Sequence, residues 1–163
     1  MSIEEKGMVK VEDFAAPTLA QTLTGAASAF YTSLPQESRM EKAQLLNALQ
    51  SPDHKADEVI GKTIMLKNFI AQSVPIVDEL TGEISDAVRI VLVSEKNESV
   101  VFVSKGVFNS VKMLISIFGA PAVGGWAEAI PVKLVQLATK KGRTYNLVVV
   151  TKKVDPKDEN VIA

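Results

Sequence analysis

The stretch Ser99 to Pro121, SVVFVSKGVFNSVKMLISIFGAP, constrains the fold more than any other because its hydrophobic period changes part-way along. Ser99, Val101 and Val103 alternate with Val100, Phe102 and Ser104, and the β-branched residues suit a pleated strand. From Val107 the apolar positions Val107, Phe108, Val111, Leu114, Ile115 and Phe118 recur at steps of three and four, which is one broad helical face. Gly119 ends that helix and Pro121 blocks its return. A strand feeding a helix, with strand-like segments on both sides, makes the order of elements diagnostic.

Before this stretch, Thr63 to Ser73 reads as a strand that bends at Val74-Pro75 and continues through Ile76 and Val77. The segment ELTGEISD carries Thr81-Gly82 and is a hairpin connection; Ala87 to Ser94 is the second strand, with Arg89 opposite Val88, Ile90 and Leu92. After the helix comes a Gly- and Ala-rich connector, Ala120 to Ala129, which contains Trp126. Ile130 to Thr139 and Thr144 to Thr151 follow as strands joined by the basic turn Lys140-Lys141-Gly142-Arg143. The order β-β-β-α-β-β is that of a mainly β, five-stranded OB-fold Greek-key barrel with its helix between strands three and four. Closure would bury Ile64, Leu66, Ile70, Ile90, Leu92, Val101, Val132, Leu134 and Leu147, with the helix plugging one barrel end.

The first sixty residues read as an N-terminal extension, partly helical or disordered. Met1 to Leu34 is rich in small residues with a short helix from Ala26 to Leu34, and Gln36 to Gln50 is a better helix, with Ser38 as cap and Glu41 in capping-box position. Residues 61–154 form the OB domain, and 155–163 a short polar tail expected to be disordered. Apolar content of 47% over 163 residues supports a real core, and no stretch has the length of a membrane span or the apolar core of a signal peptide. A soluble protein of the bacterial host cytoplasm follows as the expectation.

The net charge of -1 conceals a division along the chain. Residues 1–60 carry five Lys and Arg against nine Asp and Glu, a net of -4, while residues 61–154 carry twelve against seven, a net of +5. A basic β domain points to a polyanion partner. The chain has no Cys and only one His, His54, so thiolate metal sites and His-based triads are hard to assemble. Ser104-Lys105-Gly106 lacks phosphate-loop spacing, and no carboxylate pair sits at converging strand ends. Neither a catalytic residue, a cofactor nor a metal is expected.

The segments IGKTIMLKNF, the TGE turn, VRIVLV, VSKGVFNSVKMLISIFGAP and KKGRTYNLVVV, preceded by LLNALQSPDHKADEVIGK, together resemble the OB-fold single-stranded DNA-binding proteins encoded by bacteriophages and mobile elements of Gram-positive bacteria. The likeness runs from about Met40 to Val150. It implies a non-enzymatic protein that coats single-stranded DNA during replication or recombination, with replication or recombination proteins and a homo-oligomer as further partners. The chain departs from the familiar bacterial single-strand binder in lacking a Gly/Gln-rich tail with an acidic tip, so neither recruitment through such a tip nor a four-subunit assembly carries over.

Sequence-tolerant strand binding needs cations along a groove and ring faces for bases. Lys140, Lys141 and Arg143 lie in one loop, and Tyr145 shares a strand face with Arg143. Phe69 shares parity with Lys67 and is the second stacking candidate; Trp126 is either an anchor on the barrel or a base contact. Lys62, Lys67, Arg89, Lys105 and Lys133 complete the set that could follow phosphates. Two alternatives stay open: an OB module for protein interaction, contacting its partner through the acidic N-terminal segment, and an RNA-binding OB protein.

Overall fold

The computed structural model describes residues 30–140 and 142–163. Residues 1–29, including the start of the short helix expected from Ala26, and Lys141 lie outside them. In chain order the elements are β1 (Phe30–Thr32), α1 (Arg39–Gln50), β2 (His54–Lys55), a 3₁₀ turn (Ala56–Glu58), β3 (Thr63–Val77), β4 (Ile84–Ser94), β5 (Ser99–Val103), α2 (Lys105–Phe118), β6 (Ile130–Thr139), β7 (Gly142–Val149) and β8 (Val161–Ile162). The five strands expected from the sequence are β3 to β7. Among the described residues the sheet holds eight, in the order β2-β5-β4-β3-β6-β7 with β1 and β8 both on β3.

The long strand β3 organises this sheet by changing partners along its length. Thr63 to Leu66 pair with β6, whereas the pairing with β4 runs from Leu66 to Val77 and that with β1 from Ile70 to Gln72. Between Leu66 and Asn68 the register slips by one residue at a bulge. A bulge bends its strand and moves the following side chains to the other face. Ile64 and Leu66 therefore enter the main core, but beyond the bulge it is Phe69 and Ala71 that face it, while Ile70 turns to the opposite side.

The main core gathers Val100 and Phe102 from β5, Ile90 and Leu92 from β4, Ile64, Leu66 and Phe69 from β3, and Val132 and Leu134 from β6, with Leu147 of β7 packed against them. Residues from both ends of the strand order meet in one cluster, so the sheet is curled around it into a half-barrel. No ladder joins β5 to β7 among the described residues, and the expected closed barrel is corrected accordingly. The seam is occupied by α2. Its N-cap Ser104 accepts from the Val107 N–H and Gly119 ends it at φ 85°. Val107, Val111 and Leu114 enter the core, and Ser110 Oγ accepts a 3.0 Å hydrogen bond from the Leu147 N–H of β7. Gly106 lies so close to β7 that a Cβ there would collide with the Tyr145 carbonyl. The helix lies along the seam rather than only plugging an end.

On the convex side α1 covers Ile70, Val91 and Val93 with Leu45 and Ala48. The capping box read from the sequence is present: Ser38 Oγ accepts from the Glu41 N–H, and Glu41 Oε1 accepts from the Ser38 N–H at 2.8 Å. Residues 30–32, expected to be helical, instead pair with β3 as a strand. The C-terminal tail is also corrected. Val161 and Ile162 pair in parallel with Thr63 and Ile64 on the stretch of β3 that lies before its pairing with β4, and Ser94 Oγ donates to the buried Ala163 carbonyl. A free β3 edge would leave backbone groups unpartnered, so apolar Val161-Ile162-Ala163 outweigh the polarity of the residues before them.

Candidate nucleic-acid interface

The β6–β7 hairpin sorts the predicted residues by face. Arg143 pairs with Ala138, Tyr145 with Gln136 and Leu147 with Leu134, and the burial of Leu134 and Leu147 makes this the concave side. Lys133 pairs with Val148, one residue out of phase with that set, and is exposed on the convex side. Arg143 and Tyr145 do share a face, as alternation requires. Lys133 does not join them. Tyr145 is half-buried, packed on the core, with Arg143 exposed beyond it towards the turn that holds Lys140.

Contact between Gly106 and the Tyr145 carbonyl brings the N-terminus of α2, and with it exposed Lys105, to the same part of β7. On the other flank of α2, Phe108 packs partly into the core, and Lys112 Nζ stands 5.2 Å from the centroid of its ring, a cation–π contact. Phe108 also lines an open depression of about 300 Å³ with Phe30, Tyr31, Ala71, Gln72 and Val88. Tyr31 is 50% exposed and its ring centroid lies 5.4 Å from that of Phe69. This mouth has the ring faces Tyr31 and Phe108, with Lys105 and Lys112 on the helix that lines it and Arg143 on β7, against the other flank of that helix. Arg89 flanks this mouth from the convex face, in the cross-strand row Phe30–Gln72–Arg89. Partial burial pushes its pKa below the ordinary arginine value, though the guanidinium stays charged.

Two expectations, the stacking roles of Phe69 and Trp126, are corrected by packing. Phe69 is 2% exposed because the bulge after Leu66 turns it inward, where its ring stacks on Trp126 at 6.0 Å and 29°. Trp126, 7% exposed, is an anchor: its Nε1 donates to the Gly119 carbonyl at 2.9 Å and its N–H to the Lys67 carbonyl. Neither ring can stack on a base. Lys67 itself sits in the bulge, half-buried, against Gly125, and Lys62 is half-buried at the start of β3, away from the mouth. Sequence reasoning missed Phe30 and Tyr31, which it placed in a weak helix, and read Phe108 only as part of the apolar face of the helix; three residues of β1 are too few to show a strand period.

His54 belongs to structure rather than chemistry. Its Nε2 lies 2.9 Å from Glu98 Oε1, and next to it Asp53 Oδ2 accepts from the Ser99 N–H and Oγ, tying β2 to β5. Among the described residues no group of three metal-ligating side chains converges, and no helix is long and apolar enough to cross a membrane.

Comparison with known families bears directly on this mouth. The family model described as phage single-stranded DNA-binding protein, of the Phi29 type, matches residues 24–150. The chain belongs to this family. Neither the curated proteins nor the solved structures yield a match. The match to this phage family takes in every element from β1 to β7, and so all the residues of the mouth. Membership in a family of single-strand binders fits the exposed rings and the cation–π pair at the mouth.

Proposed function

We propose that the protein binds single-stranded DNA without sequence preference and protects it during replication or recombination in the bacterial host cytoplasm. The half-barrel is read as an OB fold with β3 to β7 as its five strands and α2 sealing the seam between the third and fifth. The observation that supports the proposal is the pair of rings Tyr31 and Phe108 at one open depression, with Lys112 over the Phe108 ring, in a chain of the phage single-strand-binding family; Lys105 on the same helix and Arg143 across it on β7 are read as completing the surface. Rings take bases of any identity because every base has a π-face, and the cations take phosphates. Arg89, Lys140 and Tyr145 are read as extending the same surface, and Lys141, outside the described residues, is proposed with them from the sequence alone. Lys62, Lys67 and Lys133 lie apart from it, and Phe69 and Trp126 support it from within.

Gel mobility with poly-dT, poly-dA, RNA and duplex of equal length tests the proposal. Binding to both DNA homopolymers ahead of duplex is the expected result; preference for RNA or duplex, or binding to one homopolymer alone, would overturn it.

A further inference from the structure

Among the described residues no third strand joins β3 beyond Gln72 or β4 before Arg89, so Ser73 to Val88 stand as a two-stranded arm. At the strand rise it projects about 14 Å past the sheet. Its tip is ordered. Asp78 N–H donates to the Glu83 carbonyl at 2.8 Å, Asp78 Oδ1 accepts from the N–H groups of Leu80 and Thr81, and Gly82 takes φ 72°. This fixed turn displays Leu80, 96% exposed, with exposed Val77 and Ile84 beneath it. Asp78, Glu79 and Glu83 make the tip acidic, and among the described residues no cation lies within ion-pair distance of them. An acidic turn repels phosphates, so the arm is no part of a DNA site, and three exposed aliphatic side chains on a preorganised turn need another reason.

A surface with the complementary character lies on the same molecule. Between the outer flank of α2 and the convex face of β6–β7 runs an apolar groove of about 620 Å³, walled by Met113, Ile117 and Phe118 on one side and by Leu137 and Val148 on the other. Ile117 is 71% exposed, and among the described residues no acidic side chain lines the groove. Lys133 stands beside Val148 on the same face, and Lys140 follows at the end of β6. The arm springs from the Phe108 flank of α2 and the groove lies along the Gly106–Ser110–Met113 flank, so a molecule does not present the tip to its own groove.

We propose that the β3–β4 hairpin tip of one copy docks in the α2–β7 groove of a second copy, Leu80 entering between Ile117 and Val148 with Glu79 and Glu83 set against Lys133. Tip and groove are different surfaces, so the contact is head-to-tail and leaves one of each unused on every pair. It propagates an open row of copies, which suits a linear polymer. The contact goes beyond the DNA-binding proposal and does not require it; only its consequence, cooperative coating, does.

Because the chain has no Cys, single cysteines report the contact directly. L80C and I117C copies are purified separately, mixed and oxidised, with L80C plus Q44C on exposed α1 as the control pair. All three positions are exposed, so the fold is not at risk. The L80C–I117C heterodimer should form at least several-fold faster than the control and faster still on poly-dT; E79K/E83K in the L80C copy should slow it, and K133E in the I117C copy should restore it. Equal coupling of L80C to I117C and Q44C, with or without poly-dT, would overturn the docking. Affinity for an oligonucleotide that holds one copy, measured on the same variants, reads the DNA proposal separately and should be unchanged by L80C and I117C.

Discussion

Tyr31 is the residue on which a base has most room to stack, since its ring is half exposed and its buried edge rests on Phe69, which rests in turn on Trp126. Replacing it with Ala should weaken single-strand binding by about 1 to 3 kcal/mol, roughly 5- to 150-fold, with the melting temperature nearly unchanged, as read by oligonucleotide anisotropy and thermal denaturation. Glu41 gives a residue-scale prediction of another kind. The Ser38 N–H, helped by the Glu37 N–H, holds its carboxyl below the usual glutamate range. A depressed folded pKa means stabilisation that is present above the unfolded value and lost as pH falls through the folded one. The N-terminus of α1 should therefore fray in acid, and E41Q should remove that part of the pH dependence of amide exchange in the first turn. The capping box was readable because it is local. The fate of Phe69 was not, because one extra residue at the Lys67 bulge reverses every side chain after it.

That bulge is a property of two elements together. Ser33 Oγ donates to the buried Asn68 Oδ1 at 2.8 Å, the Gly124 N–H donates to the Ser33 carbonyl, and the Trp126 N–H reaches the Lys67 carbonyl. A Cβ on Gly125 would collide with the Lys67 carbonyl. The connector after α2 and the strand before α1 thus pin β3 from residues 35 to 60 positions away, and no window of sequence contains both sides. The period change at Ser99 to Pro121, by contrast, lies within one window and was legible to within two residues. Close approach also decides how α2 seals the seam. Gly106→Ala should push the helix off β7 and cost about 1 to 3 kcal/mol, measured by urea unfolding, and should weaken DNA binding by displacing Lys105 from Tyr145. Deleting residues 160–163 strips the pairing with Thr63 and Ile64 and buried Ile162, and should cost about 2 to 4 kcal/mol in the same assay.

Across the whole molecule, the order of the strands was legible because each of β3 to β7 carries its own pattern and turn. What escaped was the way the chain ends and the extension complete the sheet: β1, β2 and β8 are two or three residues each, too short for a period. The division of charge pointed to the partner class of the family but could not pick out a face, since Lys133 and Arg143 are close in sequence and lie on opposite faces of one hairpin. Where the cations sit matters more than their number. The central claim is that those of the mouth carry the phosphates of a single strand. The salt dependence of binding to a dT oligonucleotide, measured by anisotropy for the natural chain and for K105Q/R143Q, tests it most directly. Each lost phosphate contact should flatten the slope of log K against log salt by about 0.7, so the double variant should bind more weakly with a slope shallower by about 1.4. An unchanged slope and affinity in K105Q/R143Q would contradict the account.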